Sequence, residues 1–177
     1  MPDDQRRYLG QTDLPLSETG IEQAHGLAER LREVRFTAAF SSDLQRAART
    51  AEIVVAGTGL EVELDARLRE IDAGLWEGLT AEEAKERHPK EWAERERDLV
   101  GHRFPGGESF RELKQRAVAA FVDAVHLGGE RPLIVAHLGV NRVLLSHALG
   151  MPLEKIFSFQ QDYCEVEVVG VCMGAEQ

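Results

Sequence analysis

The chain has 177 residues, 43% of them hydrophobic and 29% charged, which is typical of one soluble globular domain and excludes a disordered or fibrous chain. Its formal net charge of −10 repels polyanions, so nucleic acid is not expected as a partner. No apolar run reaches the roughly 20 residues that a membrane span needs and no signal-like stretch follows Met1, which predicts a cytoplasmic protein.

The first half of the chain predicts two helices and two short strands. Apolar residues spaced three and four apart over residues 17–34 predict a helix. Residues 38–40 predict a buried strand, after which Ser42 and Gln45 predict a capping box that starts a second helix. Polar and apolar residues alternate over residues 61–64, which is typical of a half-exposed edge strand.

The second half of the chain predicts further helices around the most apolar strand. Thr80 with Glu83 predicts a capping box that starts the first of two charged helices, which are separated by a break at Pro89. Ser109 with Glu112 predicts a second capping box at the start of a long helix that ends at Gly128. Its apolar stripe consists of Leu113, Ala117, Ala120, Phe121, Ala124 and Val125. Residues 132–136 are apolar on both faces, as expected of a central parallel strand. A helix over residues 140–149 and a β-rich run over residues 163–171 complete the pattern.

Strands that alternate with helices predict an α/β fold. We expect a three-layer sandwich with a mostly parallel central sheet flanked by helices. No segment resembles a linker, so residues 1–177 are predicted to form a single domain. Cys164 and Cys172 are too few for a disulfide framework and are expected to be buried or half-buried thiols.

Three segments supply a cation, a carboxylic acid and an imidazole, which are groups that handle a phosphoryl group. They are Ser41–Arg46, Leu68–Gly74 and Val135–Arg142. Because anions collect where strands end and helices begin in an open α/β sheet, we expect Arg46 and His137 to meet there. The backbone N–H groups of Leu138 and Gly139 could also face a phosphate.

Each of these residues also has a purely structural interpretation. Glu70 has apolar sequence neighbours that would raise its pKa and favour proton donation, but it could equally be a solvated charge on a turn. Those neighbours are Leu68, Ile71, Leu75 and Trp76. His137 could be a hydrogen-bonded structural histidine, and Arg46 could form an ion pair with Asp43 or Glu70.

Additional motifs occur in a fixed order around these three segments. They are Arg7–Ser17, Gly20, Gln23–Ala24, Ser41–Ala47, Thr50–Ala51, Leu68–Gly78 and Pro105–Ser109. From Arg7 to about Val169 the chain resembles the histidine phosphatase, or phosphoglycerate mutase-like, superfamily. The resemblance implies that Arg46 clamps the transferred phosphoryl group, Glu70 gives a proton to the leaving oxygen, and His137 stabilises charge on the phosphoryl oxygens.

The same resemblance implies phosphate contacts at Gly10 and Leu138 and no cofactor or bound metal. Within the superfamily, residues 149–164 are similar to the C-terminal stretch of α-ribazole-5′-phosphate phosphatases, enzymes of cobalamin assembly. A mutase is less favoured, because the family's mutases carry a small hydroxyl residue at the position of Leu9 and an aromatic residue at that of Ala73. They also have a longer insertion between the acid and the second histidine.

The superfamily's nucleophile is a histidine in an Arg-His-Gly-Glu stretch at the end of its first strand, and this sequence contains no such tetrapeptide. The resemblance places that stretch just ahead of Met1. The other histidines lie in predicted helices or in charged or loop segments and offer no substitute. They are His25, His88, His102, His126 and His147. We therefore expect that the first strand is missing, that the chain as written is inactive, and that the natural protein is about 10 to 20 residues longer.

Two classes of function are left open by the sequence. One is a metal-independent phosphomonoesterase that acts through a phosphohistidine on a small phosphorylated metabolite, with a phosphoglycerate mutase-like enzyme as its variant. The other is a non-catalytic module that holds phosphate through Arg46 and helix N-termini. No membrane or nucleic-acid partner is expected, and a homodimer is one option for the oligomeric state.

Overall fold

Within residues 7–170, three parallel strands form a sheet in the order β2-β1-β3. They are β1 (Ala38–Ser41), β2 (Val62–Leu64) and β3 (Pro132–Val135). Phe40 of β1 is in register with Glu63 on one side and with Ile134 on the other. The protein is described by a computed structural model, which covers residues 7–170 of the chain.

Between residues 7 and 170, six α-helices surround this sheet. They are α1 (Glu18–Leu31), α2 (Gln45–Val55), α3 (Ala81–Arg87), α4 (Pro89–Arg97), α5 (Phe110–Leu127) and α6 (Leu138–Ala148). Helix α1 packs on α2, which contacts all three strands, whereas α5 packs on α6 and contacts β3. Successive strand residues point to opposite faces, and Phe40 joins the core formed with α5 and α6. The predicted three-layer α/β sandwich is confirmed.

The main core lies between the sheet and the α5–α6 pair. The apolar stripe predicted for α5 is buried there, from Leu113 to Ala124. The six largest fully buried side chains among residues 7–170 are apolar, and all six belong to this core. They are Trp76, Leu68, Leu113, Ile156, Val140 and Val143. Because β3 leads directly into α6, this packing fixes the position of His137 at the junction of the two elements.

Two predicted capping boxes are confirmed. The Thr80 hydroxyl accepts from the Glu83 N–H while the Glu83 carboxylate accepts from the Thr80 N–H, at the start of α3. Ser109 and Glu112 make the same reciprocal pair at the start of α5. Both boxes form because the partners are three residues apart and need no other part of the fold.

The predicted capping box of Ser42 and Gln45 is wrong. Helix α2 has Leu44 at its N-cap position, without a side-chain cap from that residue. The carboxylate of Asp13 caps it instead, accepting from the Gln45 backbone N–H at 2.8 Å and from the Gln45 side-chain amide at 3.0 Å. Ser42 is therefore not the cap of α2. Its Oγ accepts from the Leu44 N–H at 3.3 Å and can bond to a further partner.

Within residues 7–170 the middle strand of the sheet is β1, whereas β3 is half-buried and pairs with β1 along one edge. A central position for β3 would need a further strand on its outer edge. The predicted strand over residues 163–171 is wrong. Residues 163–170 form a turn and extended coil rather than a strand, because they pair with no neighbouring strand in the part of the chain that the structure describes; Val171 lies outside it.

Other features of the described residues bear on the sequence predictions. No helix between residues 7 and 170 has both the length and the apolarity to cross a membrane. Cys164 is a half-buried free thiol, as expected, and Cys172 lies outside the described residues. The edge position predicted for residues 61–64 is confirmed by β2.

Candidate functional site

Arg46 lies in the first turn of α2 and reaches the segment that precedes α1. Its guanidinium donates to the backbone oxygens of Thr12 and Gly10, each at 2.9 Å. The ion pair with Asp43 considered above does not form, because Arg69 holds that carboxylate with two hydrogen bonds of 2.7 and 2.5 Å. Burial lowers the pKa of the Arg46 guanidinium from its ordinary value, but an arginine stays cationic in a protein.

Gly10 takes a conformation that side-chain-bearing residues rarely adopt. Its φ is +51°, and a Cβ atom there would lie 2.0 Å from Glu77 Oε1. The Glu77 carboxylate occupies that space, because it accepts from the Gln11 N–H at 2.7 Å and from the Thr12 hydroxyl at 2.5 Å. A glycine at this position therefore lets the chain turn tightly and aim its carbonyl oxygen at Arg46.

Glu70 follows β2 and a short helical turn, and its carboxylate is held by two backbone groups. It accepts from the Ile71 N–H at 2.9 Å and from the Gly139 N–H at 3.1 Å. Burial raises the pKa of Glu70 above its ordinary value, outweighing these hydrogen bonds and the nearby Arg46 cation. The predicted direction is thus confirmed, although Leu75 is 64% exposed and is no part of an apolar frame.

Gly139 brings α6 into close contact with this acid. A Cβ atom at Gly139 would lie 2.4 Å from Glu70 Oε1, so only glycine lets the backbone approach so closely. The expectation that the Gly139 N–H faces a phosphate is wrong, because that group is bonded to Glu70. Leu138 is the first residue of α6, and a phosphate contact at its N–H stays a prediction.

His137 occupies the N-cap position of α6, directly after β3. Its Nε2 atom lies 2.9 Å from the Oγ atom of Ser42, and both residues are buried. Burial, together with the Arg46 and Arg116 cations, lowers the pKa of His137 to about 3. The imidazole is therefore neutral near neutral pH.

Arg116, on α5, was missed by the sequence analysis. Its guanidinium donates to the carbonyl oxygens of Arg67, Arg69 and Glu70 at 2.8, 2.7 and 2.9 Å. It also forms an ion pair with Glu108, through a 3.0 Å bond from Nε and a second bond from Nη2. No local pattern marks Arg116, because it lies 46 residues or more from the backbone that it holds.

Arg46, Glu70 and His137 are brought together as predicted. The Arg46 guanidinium is close enough to interact electrostatically with both Glu70 and His137. Glu70 also accepts a hydrogen bond from the N–H of Gly139, two residues after His137. The site thus combines a cation, an acid that burial favours in its neutral form, and a neutral imidazole. Within residues 7–170, no three metal-ligating side chains converge on a common point.

Three known proteins are similar to this chain over most of its length. Probable phosphoglycerate mutase GpmB of Salmonella choleraesuis is 40% identical over 153 residues, which are 84% of this chain and 69% of that protein. The alpha-ribazole phosphatase of Shigella flexneri is 30% identical, with a TM-score of 0.80 over 89% of this chain and 79% of that one. A mycobacterial glucosyl-3-phosphoglycerate phosphatase, solved with VO3, is 33% identical, with a TM-score of 0.77 over 89% and 81%.

The family model of the Histidine phosphatase superfamily (branch 1) matches residues 2–175, which is almost the entire sequence. The three-layer fold, with its parallel sheet flanked by helices, agrees with the solved structures of this kind. The chain therefore belongs to the histidine phosphatase superfamily.

Proposed function

We propose that this chain is the framework of a phosphomonoesterase that acts through a phosphohistidine. The observation that carries the proposal is Glu70, a buried carboxyl group whose pKa is raised and which two backbone N–H groups hold beside Arg46 and His137. An acid that burial makes harder to deprotonate is what a leaving oxygen needs as a proton donor. A module that only binds phosphate has no use for it.

The proposed reaction has two steps. First, a histidine nitrogen bonds to phosphorus while the ester P–O bond breaks, and the leaving oxygen takes a proton from Glu70. A water molecule, which gives a proton to the Glu70 carboxylate, then cleaves the P–N bond and releases inorganic phosphate. Through both steps the Arg46 cation offsets charge on the phosphoryl oxygens and His137 stabilises that charge by hydrogen bonding.

The nucleophile is the part of this proposal that the sequence does not supply, because it contains no Arg-His-Gly-Glu stretch. The resemblance assigns that stretch to a strand ahead of Arg7. We propose that such a strand pairs with the outer edge of β3, which is unpaired within residues 7–170. The carboxyl end of that strand would then lie beside the end of β3, where His137 is found.

The substrate we propose is a small phosphorylated metabolite. The names of the three similar proteins indicate different substrates, each of which is a phosphate ester. We place α-ribazole 5′-phosphate first, since residues 149–164 resemble those phosphatases. A phosphoglycerate is the alternative, favoured by the 40% identity to the probable mutase.

An assay of aryl phosphate hydrolysis tests the proposal. The chain as written is compared with the same chain carrying an added N-terminal Leu-Val-Arg-His-Gly-Glu strand. We expect activity only with the added strand, and none when its histidine is replaced by alanine. Absence of hydrolysis in every form would favour the phosphate-binding module instead.

Two substitutions in the active form test the assigned roles. Glu70→Gln removes the proton donor and should lower kcat by about 10²- to 10⁴-fold. Arg46→Ala should lower kcat and also weaken binding of inorganic phosphate. If Glu70→Gln kept full activity on a substrate with a poor leaving group, the acid role would be wrong. Once activity is established, a screen of α-ribazole 5′-phosphate, 3-phosphoglycerate and sugar phosphates identifies the substrate.

A further inference from the structure

We propose that Ser42 is a positioning residue that fixes the imidazole proton of His137 on Nδ1, so that the ring meets a phosphoryl oxygen as a neutral hydrogen-bond donor. This inference rests on the proposed function. It assigns a role to a serine that the sequence analysis treated only as a helix cap, and it specifies how His137 stabilises charge.

The side chains of Ser42 and His137 form a buried hydrogen-bonded pair. Ser42 is fully buried and His137 is 9% exposed, and their Oγ and Nε2 atoms are 2.9 Å apart. Ser42 follows β1 and His137 follows β3, so the contact is made where two paired strands end. Because water has little access to this contact, the hydrogen bond itself decides which ring nitrogen carries the proton.

The direction of this hydrogen bond follows from the inventory of donors and acceptors. A serine hydroxyl has one proton to donate and two lone pairs that accept. One lone pair of Ser42 Oγ accepts from the Leu44 N–H. Within residues 7–170, the only acceptor bonded to Ser42 Oγ is His137 Nε2, so the reverse arrangement would leave a buried hydroxyl proton without an acceptor. Ser42 therefore donates to Nε2.

The charges around the His137 imidazole favour its neutral form, which carries one proton. His137 is influenced by the cations of Arg46 and Arg116 and by the more weakly acting carboxylate of Asp43, and burial adds to the effect of the cations. A neutral imidazole carries a single N–H group, and with Nε2 accepting from Ser42 that group is on Nδ1. Nδ1 bonds to no other group among residues 7–170 and is not sealed in the interior.

A neutral donor suits the charge balance of the site. Arg46 already supplies a full positive charge, and a second cation on the ring would be costly in a buried position. A fixed N–H group directed at a developing negative oxygen stabilises it without any rearrangement during the reaction. Ser42 would thus contribute to catalysis without touching the substrate.

Long-range ¹H–¹⁵N spectra of the histidine side chains test this inference on the chain as it exists. We expect His137 to show the Nδ1–H tautomer, and to keep it in Ser42→Thr, which retains the hydroxyl. In Ser42→Ala the tautomer should become mixed or change to Nε2–H. Ser146→Ala is the matched control, because it removes another fully buried serine hydroxyl, one that donates to the Met151 oxygen, and should leave the His137 signals unchanged.

Titration with inorganic phosphate adds the functional readout. Phosphate should shift the His137 Nδ1 signal, and Ser42→Ala should weaken phosphate binding by roughly 2- to 10-fold. An Nε2–H tautomer in the unmodified chain, or an unchanged tautomer in Ser42→Ala, would overturn the role of Ser42. If phosphate left the His137 signals unmoved in the chain with the added Leu-Val-Arg-His-Gly-Glu strand while the tautomer was Nδ1–H, the phosphate site and with it the proposed function would fail instead.

Discussion

The contact between Gly139 and Glu70 shows how a single residue type can decide whether a site forms. Glycine within a helix ordinarily lowers its stability, yet at this position a methyl group would lie 2.4 Å from Glu70 Oε1. The close approach lets the Gly139 N–H bond to the acid. The hydrogen bond to the buried Glu70 carboxylate therefore depends on a residue that is ordinarily unfavourable in a helix.

Substituting this glycine should reverse the usual effect of a helical Gly→Ala change. We expect Gly139→Ala to lower the free energy of unfolding by about 1–3 kcal/mol, because the added methyl group displaces the carboxylate. Gly26→Ala in α1 is the control: a Cβ atom there meets nothing within 4 Å, and the change should raise the free energy of unfolding by about 0.4–1 kcal/mol. Urea denaturation measures both, and effects of equal sign would contradict the steric argument.

His137 should make the stability of the fold depend on pH. Its pKa is lowered to about 3 in the folded state, against about 6.5 in the unfolded chain. Between these values the unfolded state binds more protons, so stability is lost as the pH falls from about 6.5 to about 3, by at most about 1.4 kcal/mol per pH unit.

The comparison of two variants isolates this contribution. Urea denaturation across the pH range should give a shallower slope for His137→Gln than for the unmodified chain. His25→Gln, on an exposed face of α1, is the control for loss of an imidazole and should keep the slope unchanged. The burial argument is wrong if His137→Gln and the unmodified chain lose stability in parallel.

At the scale of elements, the cap of α2 links the fold to the site. Asp13→Ala removes both acceptors that hold Gln45 and should lower the free energy of unfolding by about 1 kcal/mol. Because Arg46 is the next residue after Gln45, phosphate binding should weaken as well. Ser17→Ala removes the cap of α1 and should cost a similar amount of stability while phosphate binding is retained. Calorimetric titration with phosphate separates the two variants.

What the sequence predicts correctly depends on how local the interaction is. The capping boxes of α3 and α5 join residues three apart, and both were predicted. The cap of α2 comes from Asp13, 32 residues away from Gln45, and was not. The order of pairing along the sheet, which places β1 between β2 and β3 within residues 7–170, is likewise encoded by no local pattern.

The site follows the same rule. The motifs identified Arg46, Glu70 and His137, and the fold brings them together. The bond from Ser42 to His137 spans 95 residues, and the carbonyl oxygens held by Arg116 are 46 to 49 residues away. Such contacts form only once the sheet is assembled, so the sequence pattern carried no sign of them.

At the scale of the whole molecule, the outer edge of β3 should govern stability. Unpaired backbone groups cost about 1–3 kcal/mol each where they are buried. We therefore expect the chain with an added Leu-Val-Arg-His-Gly-Glu strand to have a higher melting temperature than the chain as written, and slower hydrogen exchange at the β3 amides. An extension of the same composition in scrambled order is the control. If the melting temperature rose by the same amount with the scrambled extension, no strand would be pairing with the outer edge of β3.

The way Arg116 holds the acid has a consequence for protein engineering. Its contacts to residues 67–70 and to Glu108 come from α5 and use nothing from the charged helices α3 and α4. The exposed positions of residues 81–97 can therefore be varied while the acid that we propose as the proton donor keeps its place. The molecule separates the residues of the candidate site from a part that is open to variation.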